Sequence, residues 1–222
     1  MEIYEYGKKD APLVLIQLVD DHDLEAIENE VARIRENSSA DFRLIACKVG
    51  NWNKDLSPWK TPAVFGKEDF GEGAPETLRQ VLSLTEEAGK TYIIGGYSLA
   101  GLFALWAACQ TDRFRGVAAA SPSVWFPGFV NYLKQNKIKA EAVYLSLGDK
   151  EERTRNPVMA AVGDRIRETH QLLLEEGIRT TLAWNPGNHF RDADLRTASA
   201  FAWVMKELAA QTDYLAMTST LR

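Results

Sequence analysis

Residues 91–109 read TYIIGGYSLAGLFALWAAC, and the order of chemistry along them decides the fold. Residues 91–95 (TYIIG) form a short apolar run, the pattern of a strand buried on both faces of a parallel sheet. Residues 99–109 are apolar all round, which predicts a helix with no solvated face. Between them Gly96, Ser98 and Ala100 make a small-x-Ser-x-small turn. In a strand-to-helix turn of this kind the serine backbone is strained, its hydroxyl is lifted above the sheet edge, and side chains two residues away would collide. The turn therefore predicts Ser98 as a nucleophile and the amide of Leu99, first in the helix, as an oxyanion donor.

The same grammar extends in both directions. Toward the N-terminus, residues 13–19 (LVLIQLV) and 42–49 (FRLIACKV) read as buried strands, with helices predicted over 23–36 and over 74–87. Pro75 suits the first turn of the latter and Gly89 its end. Toward the C-terminus, residues 116–120, 142–147 and 179–184 supply three more strands, a long helix falls within 157–176, and a closing helix spans 199–209. Residues 2–6 (EIYEY) alternate as an antiparallel edge strand would. This alternation predicts an α/β fold with a mostly parallel central sheet and helices on both faces. One long irregular stretch, residues 50–73, is rich in aromatics and is expected to line a pocket.

A serine hydroxyl is a weak nucleophile and needs a base held in place by a third group. His189 lies in NPGNHF, directly after the last strand, so it is expected at the same sheet edge as Ser98. His170 falls inside a charged helix and His22 follows the first long strand, which makes them weaker candidates. The acid is expected after the strand at 142–147, where Gly148 is followed by Asp149, Lys150, Glu151 and Glu152. Glu151 is the first choice because a short turn is needed before a side chain can swing back; Asp149 and Glu152 remain alternatives. A second oxyanion donor is expected from the loop after the first long strand, at Asp21 or His22.

Composition bounds the partners. At 222 residues and 45% hydrophobic, the chain is expected to form one domain with a sizeable core. Its 26 Lys and Arg against 31 Asp and Glu give a net charge of −5, with no basic cluster interleaved with aromatics, so nucleic acid is not an expected partner. No run approaches the length of a spanning helix and the first ten residues are charged, which predicts a cytoplasmic protein without membrane contact. Cys47 and Cys109 suit buried free thiols, and neither they nor the three histidines have metal-ligand spacing. No cofactor is expected, and the oligomeric state leaves no mark on the sequence.

Residues 96–102 (GYSLAGL), 121–125 (SPSVW) and 148–151 (GDKE) resemble an esterase group of the α/β-hydrolases that includes enterobactin-type siderophore esterases, S-formylglutathione hydrolase and antigen 85 mycolyltransferases. The similarity spans most of the chain. It implies an α/β-hydrolase fold, cleavage of a small-molecule carboxylic ester through an acyl-enzyme, and placement of residues 121–125 beside Ser98; the compact chain leaves little room for a large cap domain. It also implies an acid three residues after a glycine, which agrees with Glu151. The family's second oxyanion donor follows Leu-Asp-Gly, whereas this chain has Val19-Asp20-Asp21. The pocket is expected from residues 50–73 and 125–132, with Trp52, Trp59, Tyr97 and Trp125 as candidate walls. Thioester hydrolysis, acyl transfer, peptide cleavage and a non-catalytic binding role all remain open on the sequence.

Overall fold

A computed structural model describes the backbone of residues 1–219, with side chains through residue 210. Among them, β1 (Glu2–Gly7), β2 (Leu13–Val19), β3 (Phe42–Lys48), β4 (Thr91–Tyr97), β5 (Phe114–Ala120), β6 (Ala142–Gly148) and β7 (Arg179–Asn185) form one sheet in the order β1-β3-β2-β4-β5-β6-β7. Only β1 runs antiparallel, pairing Glu2 with Lys48 at the sheet's edge. The remaining pairs are parallel, with Gln17 opposite Gly95 and Gly148 opposite Asn185.

The helices α1 (Asp21–Asn37), α2 (Trp52–Asp55), α3 (Ala74–Leu82), α4 (Leu99–Gln110), α5 (Phe129–Gln135), α6 (Pro157–Ala160), α7 (Val162–Glu175) and α8 (Ala193–Ser219) connect and cover the strands. Strand periodicity divides the core in two. On β2, Val14, Ile16 and Leu18 join a cluster with Leu78 of α3, Phe103 of α4 and Ile166 of α7; Leu15 and Val19 join Ile27 and Ile34 of α1 and Phe201 of α8. Residues 99–109 of α4 are buried throughout, as an all-apolar helix must be. One polar pair crosses the α1 interface, Gln17 Nε2 donating to Glu30 Oε2 at 3.2 Å. Cys47 and Cys109 are free and buried, and burial pushes both thiols up to about 12. Among the described residues no helix is long and apolar enough to cross a membrane.

Four local expectations need correction. The helix predicted over 74–87 stops at Leu82, because Ser83 and Thr85 donate their hydroxyls to the carbonyls of Gln80 and Leu82 and the backbone closes into tight turns. Residues 20–22 are not a loop: Asp20 caps α1, accepting from the Asp23 amide at 2.9 Å, and the helix begins at Asp21. Residues 50–73 are not wholly irregular, since they hold α2 and an antiparallel bridge between Thr61 and Phe70. The closing helix starts at Ala193 rather than residue 199, and the reason lies in what its first turns bind.

Parallel topology has one consequence for chemistry. β4, β6 and β7 all end at the same rim of the sheet, so Ser98, Glu151 and His189, which follow them, emerge side by side.

Candidate active site

Ser98 occupies a backbone conformation that L-residues rarely adopt, φ 56° and ψ −119°. Three hydrogen bonds hold it there: its amide donates to Ala120 O at 3.1 Å, and its carbonyl accepts from Leu102 N at 3.1 Å and Ser123 N at 3.0 Å. Gly96 has φ 156°, and a Cβ placed on it would lie 2.6 Å from Ala100 Cβ, which is why both positions carry small residues. The Ser98 hydroxyl, thus exposed above β4, lies 2.9 Å from His189 Nε2 and 3.2 Å from Ser123 Oγ.

His189 sits on the turn between β7 and α8. That turn is laced to the one after β6: Asp149 N donates to Asn185 O at 2.8 Å, Lys150 N to Gly187 O at 3.1 Å, and Gly187 N to Asp149 Oδ1 at 2.8 Å. Tyr97 supports the histidine from behind, its hydroxyl donating to His189 O at 2.8 Å with the rings 5.1 Å apart.

Glu151 begins a short 3-10 turn and is 8% exposed. Its two oxygens have separate tasks. Oε2 lies 2.7 Å from His189 Nδ1, while Oε1 accepts from Gly148 N at 2.7 Å, Ser121 Oγ at 2.8 Å and Arg196 Nη1 at 3.0 Å. Burial alone would raise this carboxyl, but the hydrogen bond and charge of His189, with the Gly148 amide and Ser121 hydroxyl, outweigh it and hold the group below its ordinary value. An ionised Oε2 facing Nδ1 favours the tautomer that carries its proton there, leaving Nε2 free to accept from Ser98.

The alternative acids point elsewhere. Asp149 is occupied by the Gly187 amide and Glu152 pairs with Arg167 at 3.4 Å. His170 lies on α7, and His22 is turned to solvent beside Glu25.

At the front of the site, the Leu99 amide opens α4. β2 pairs with β4 in parallel as far as Gln17 opposite Gly95, and α1 begins four residues further on, at Asp21. The Asp21 carboxylate turns outward onto Lys48 Nζ at 2.6 Å.

A cavity of about 180 Å³ adjoins His189, walled by Trp125, Met159, Val162 and Phe190 with Lys150 and Arg153 at its edge. Phe190 is 89% exposed. Of the four aromatics expected as walls, only Trp125 lines this cavity. Trp59 instead donates its Nε1 to Pro127 O at 3.0 Å and packs on Phe126, Phe129 and Tyr132; Trp52 packs against the core. Residues 50–73 reach the site through Phe65, whose ring is 6.0 Å from that of Trp125. Among the described residues no group of three His, Cys, Asp or Glu side chains is placed to hold a metal ion.

Arg196 is the residue sequence reading missed, and Ser121, expected beside Ser98, turns out to hold the acid as well. Arg196, 3% exposed on α8, also reaches Tyr97 OH, and Ser121 holds a φ of 42° to aim its hydroxyl at Glu151.

Solved structures place this arrangement among known folds. An IroE-like serine hydrolase from Shewanella oneidensis matches with a TM-score of 0.72 at 15% identity, over 90% of this chain and 74% of that one. The siderophore hydrolase EstA from Aspergillus nidulans matches at 0.64 and 17% identity, over 93% of this chain and 94% of that one. The enterobactin esterase FES from Shigella flexneri matches at 0.65 and 14% identity, over 93% of this chain and 55% of that one. No protein-family model matches the sequence, and no curated protein does. At such identities the likeness is one of architecture: this chain has the α/β-hydrolase fold.

Proposed function

We propose that the protein hydrolyses a small-molecule carboxylic ester, with Ser98 as nucleophile, His189 as general base and Glu151 as the acid that orients it. One observation carries the reading: an unbroken relay from Ser98 Oγ to His189 Nε2 at 2.9 Å and from His189 Nδ1 to Glu151 Oε2 at 2.7 Å. In this reaction Ser98 Oγ bonds to the acyl carbon as its proton passes to His189 Nε2. The oxyanion so formed is met by the amide of Leu99 and, from the first turn of α1, that of Asp21. Collapse breaks the bond to the alcohol oxygen, which takes the proton back from His189. Water then attacks the acyl-enzyme, losing its proton to His189, and the acid leaves with Ser98 restored.

Glu151 acts through the imidazole: its Oε2 keeps Nδ1 protonated and stabilises the cation formed in each half of the cycle. The cavity walled by Trp125, Met159, Val162 and Phe190 suits an apolar or aromatic acyl or alcohol group.

A fluorophosphonate probe tests the nucleophile directly. Wild-type protein is expected to label and Ser98→Ala is not; labelling that survives the substitution assigns the reaction to another serine. His189→Ala is expected to lower turnover of a p-nitrophenyl ester by about three orders of magnitude or more with the fold intact. A rate near wild type removes His189 from the mechanism.

A further inference from the structure

We infer that Arg196 is a positioning residue for this reaction, one rigid guanidinium that fixes the acid and the base relative to each other. The inference rests on the assignment of Ser98, His189 and Glu151 above.

The two ends of the guanidinium serve different partners. Nη1 donates to Glu151 Oε1 at 3.0 Å, Tyr97 OH at 3.0 Å and Ser121 Oγ at 3.3 Å. Nη2 donates to the carbonyls of Pro186 and Asn188, both at 3.1 Å, which flank the turn that carries His189. The group thus touches the last residue of β4 and the segments that follow β5, β6 and β7, every strand end that contributes to the relay.

The hydrogens on these partners are already committed. Tyr97 gives its hydroxyl proton to His189 O and Ser121 gives its own to Glu151 Oε1, so both present lone pairs to Arg196. Only a group that donates and never accepts serves all five oxygens, three of them sharing the two Nη1 hydrogens, and a planar fork spans two directions that a single ammonium cannot. Gly148 makes room for it: a Cβ there would lie 3.0 Å from both Arg196 Nη1 and Glu151 Oε1.

Two consequences follow for the relay. With Oε1 held by the Gly148 amide, Ser121 and Arg196, Glu151 cannot rotate away, and Oε2 is left for His189 alone. With Pro186 O and Asn188 O held by Nη2, the imidazole is kept at hydrogen-bond distance from Ser98. Arg196 touches neither substrate nor reacting atoms, so its loss acts on kcat and spares ground-state binding.

The test is steady-state kinetics on a p-nitrophenyl ester with Arg196→Ala and Arg196→Lys, alongside fluorophosphonate labelling rates. Arg196→Ala is expected to lower kcat by 10- to 100-fold or more with KM within about twofold. Its labelling rate falls in parallel, still on Ser98. Millimolar guanidinium chloride restores at least part of kcat, and equal sodium chloride does not. Arg196→Lys keeps the charge but cannot hold both carbonyls, so it remains folded with kcat at least about tenfold down. Wild-type kcat in the Lys variant overturns the inference, including where the Ala variant does not fold. A loss in the Ala variant that falls on KM, or that guanidinium fails to relieve, overturns it as well. Failure of the parent reading looks different: wild type would not label, or Ser98→Ala would.

Discussion

Glu151 at the rim of the sheet and Glu30 on α1 are both buried carboxyls, 8% and 3% exposed, yet they are displaced in opposite directions. Burial is the leading influence on each and pushes each up. At Glu151 the partners win, because four donors converge on its two oxygens, one of them the guanidinium of Arg196. At Glu30 the single Gln17 amide recovers only part of the cost, the charges of Asp23 and Asp194 add to it, and the carboxyl sits well above its ordinary value. The orphaned atoms agree: Glu30 Oε1 and Gln17 Oε1 are buried without a hydrogen-bond partner. A neutral Glu30 leaves no charge on the first. Depth alone therefore does not decide whether a carboxyl is ionised inside this protein; the number of donors aimed at it does.

The largest expected difference between the two sites is in turnover. Glu151→Gln keeps the shape of the side chain but replaces an acceptor facing His189 Nδ1 with an amide that can present its NH₂ and favour the wrong tautomer. A loss in kcat/KM of about 10³- to 10⁴-fold is expected. Glu30→Gln, outside the relay on the face of α1 that meets β2, is expected to stay within twofold of wild type. A Glu151→Gln enzyme within tenfold of wild type would reduce the site to a Ser98–His189 dyad.

Stability should separate them next. Glu151→Leu strands the Arg196 cation in a site with 3% exposure and leaves the Ser121 and Gly148 donors unpaired, so a loss of about 3–5 kcal/mol is expected in urea unfolding. Glu30→Gln removes a group that resists ionisation, and at pH 8 it should raise the melting temperature. A Glu151→Leu protein as stable as wild type would mean that solvent reaches Arg196 and that the network is not closed.

The same contrast marks what could be read from residues alone. Ser98 is legible because its turn tolerates only small neighbours, and the strands are legible because burial on both faces demands unbroken apolar runs. The turn after β6 offered three carboxylates, and only the lacing of Asp149 to Gly187 and of Glu152 to Arg167 separates them. Arg196 is hidden because residues 191–199 (RDADLRTAS) are charged and polar, and the apolar pattern that predicts the closing helix sets in only at 199. A signal did exist: Arg196, Ala200, Val204 and Leu208 recur every four residues and all are buried, so the arginine stands on the inward stripe. Trp52 and Trp59 misled for a simple reason. An aromatic in a long connection packs a core as readily as it walls a pocket, and Trp59 does the former against Phe126 and Phe129.

The smallest effect sharpens the α1 side of the comparison and is read as a pH slope. Asp23, one of the charges that disfavours ionised Glu30, is itself raised to about 6 by burial and by Asp20, against the opposing pull of the Asp20 amide. A carboxyl raised on folding holds a proton that the unfolded chain has released, so stability is greatest below the unfolded value near 4. It falls as pH rises toward 6 and is level beyond that for this group. Carboxyls lowered on folding, such as Glu5, Glu76 and Glu168, change stability at more acid pH, below about 4.5, and do not mask the window. Asp23→Asn keeps an oxygen for the Asp20 amide and removes the charge. Its stability should match wild type near pH 4 and exceed it by roughly 1–3 kcal/mol at pH 7, the difference growing between pH 4 and 6. Parallel pH profiles for the two proteins would show that water reaches Asp23 and that the N-terminus of α1 is not the low-dielectric counterpart of the Glu151 site.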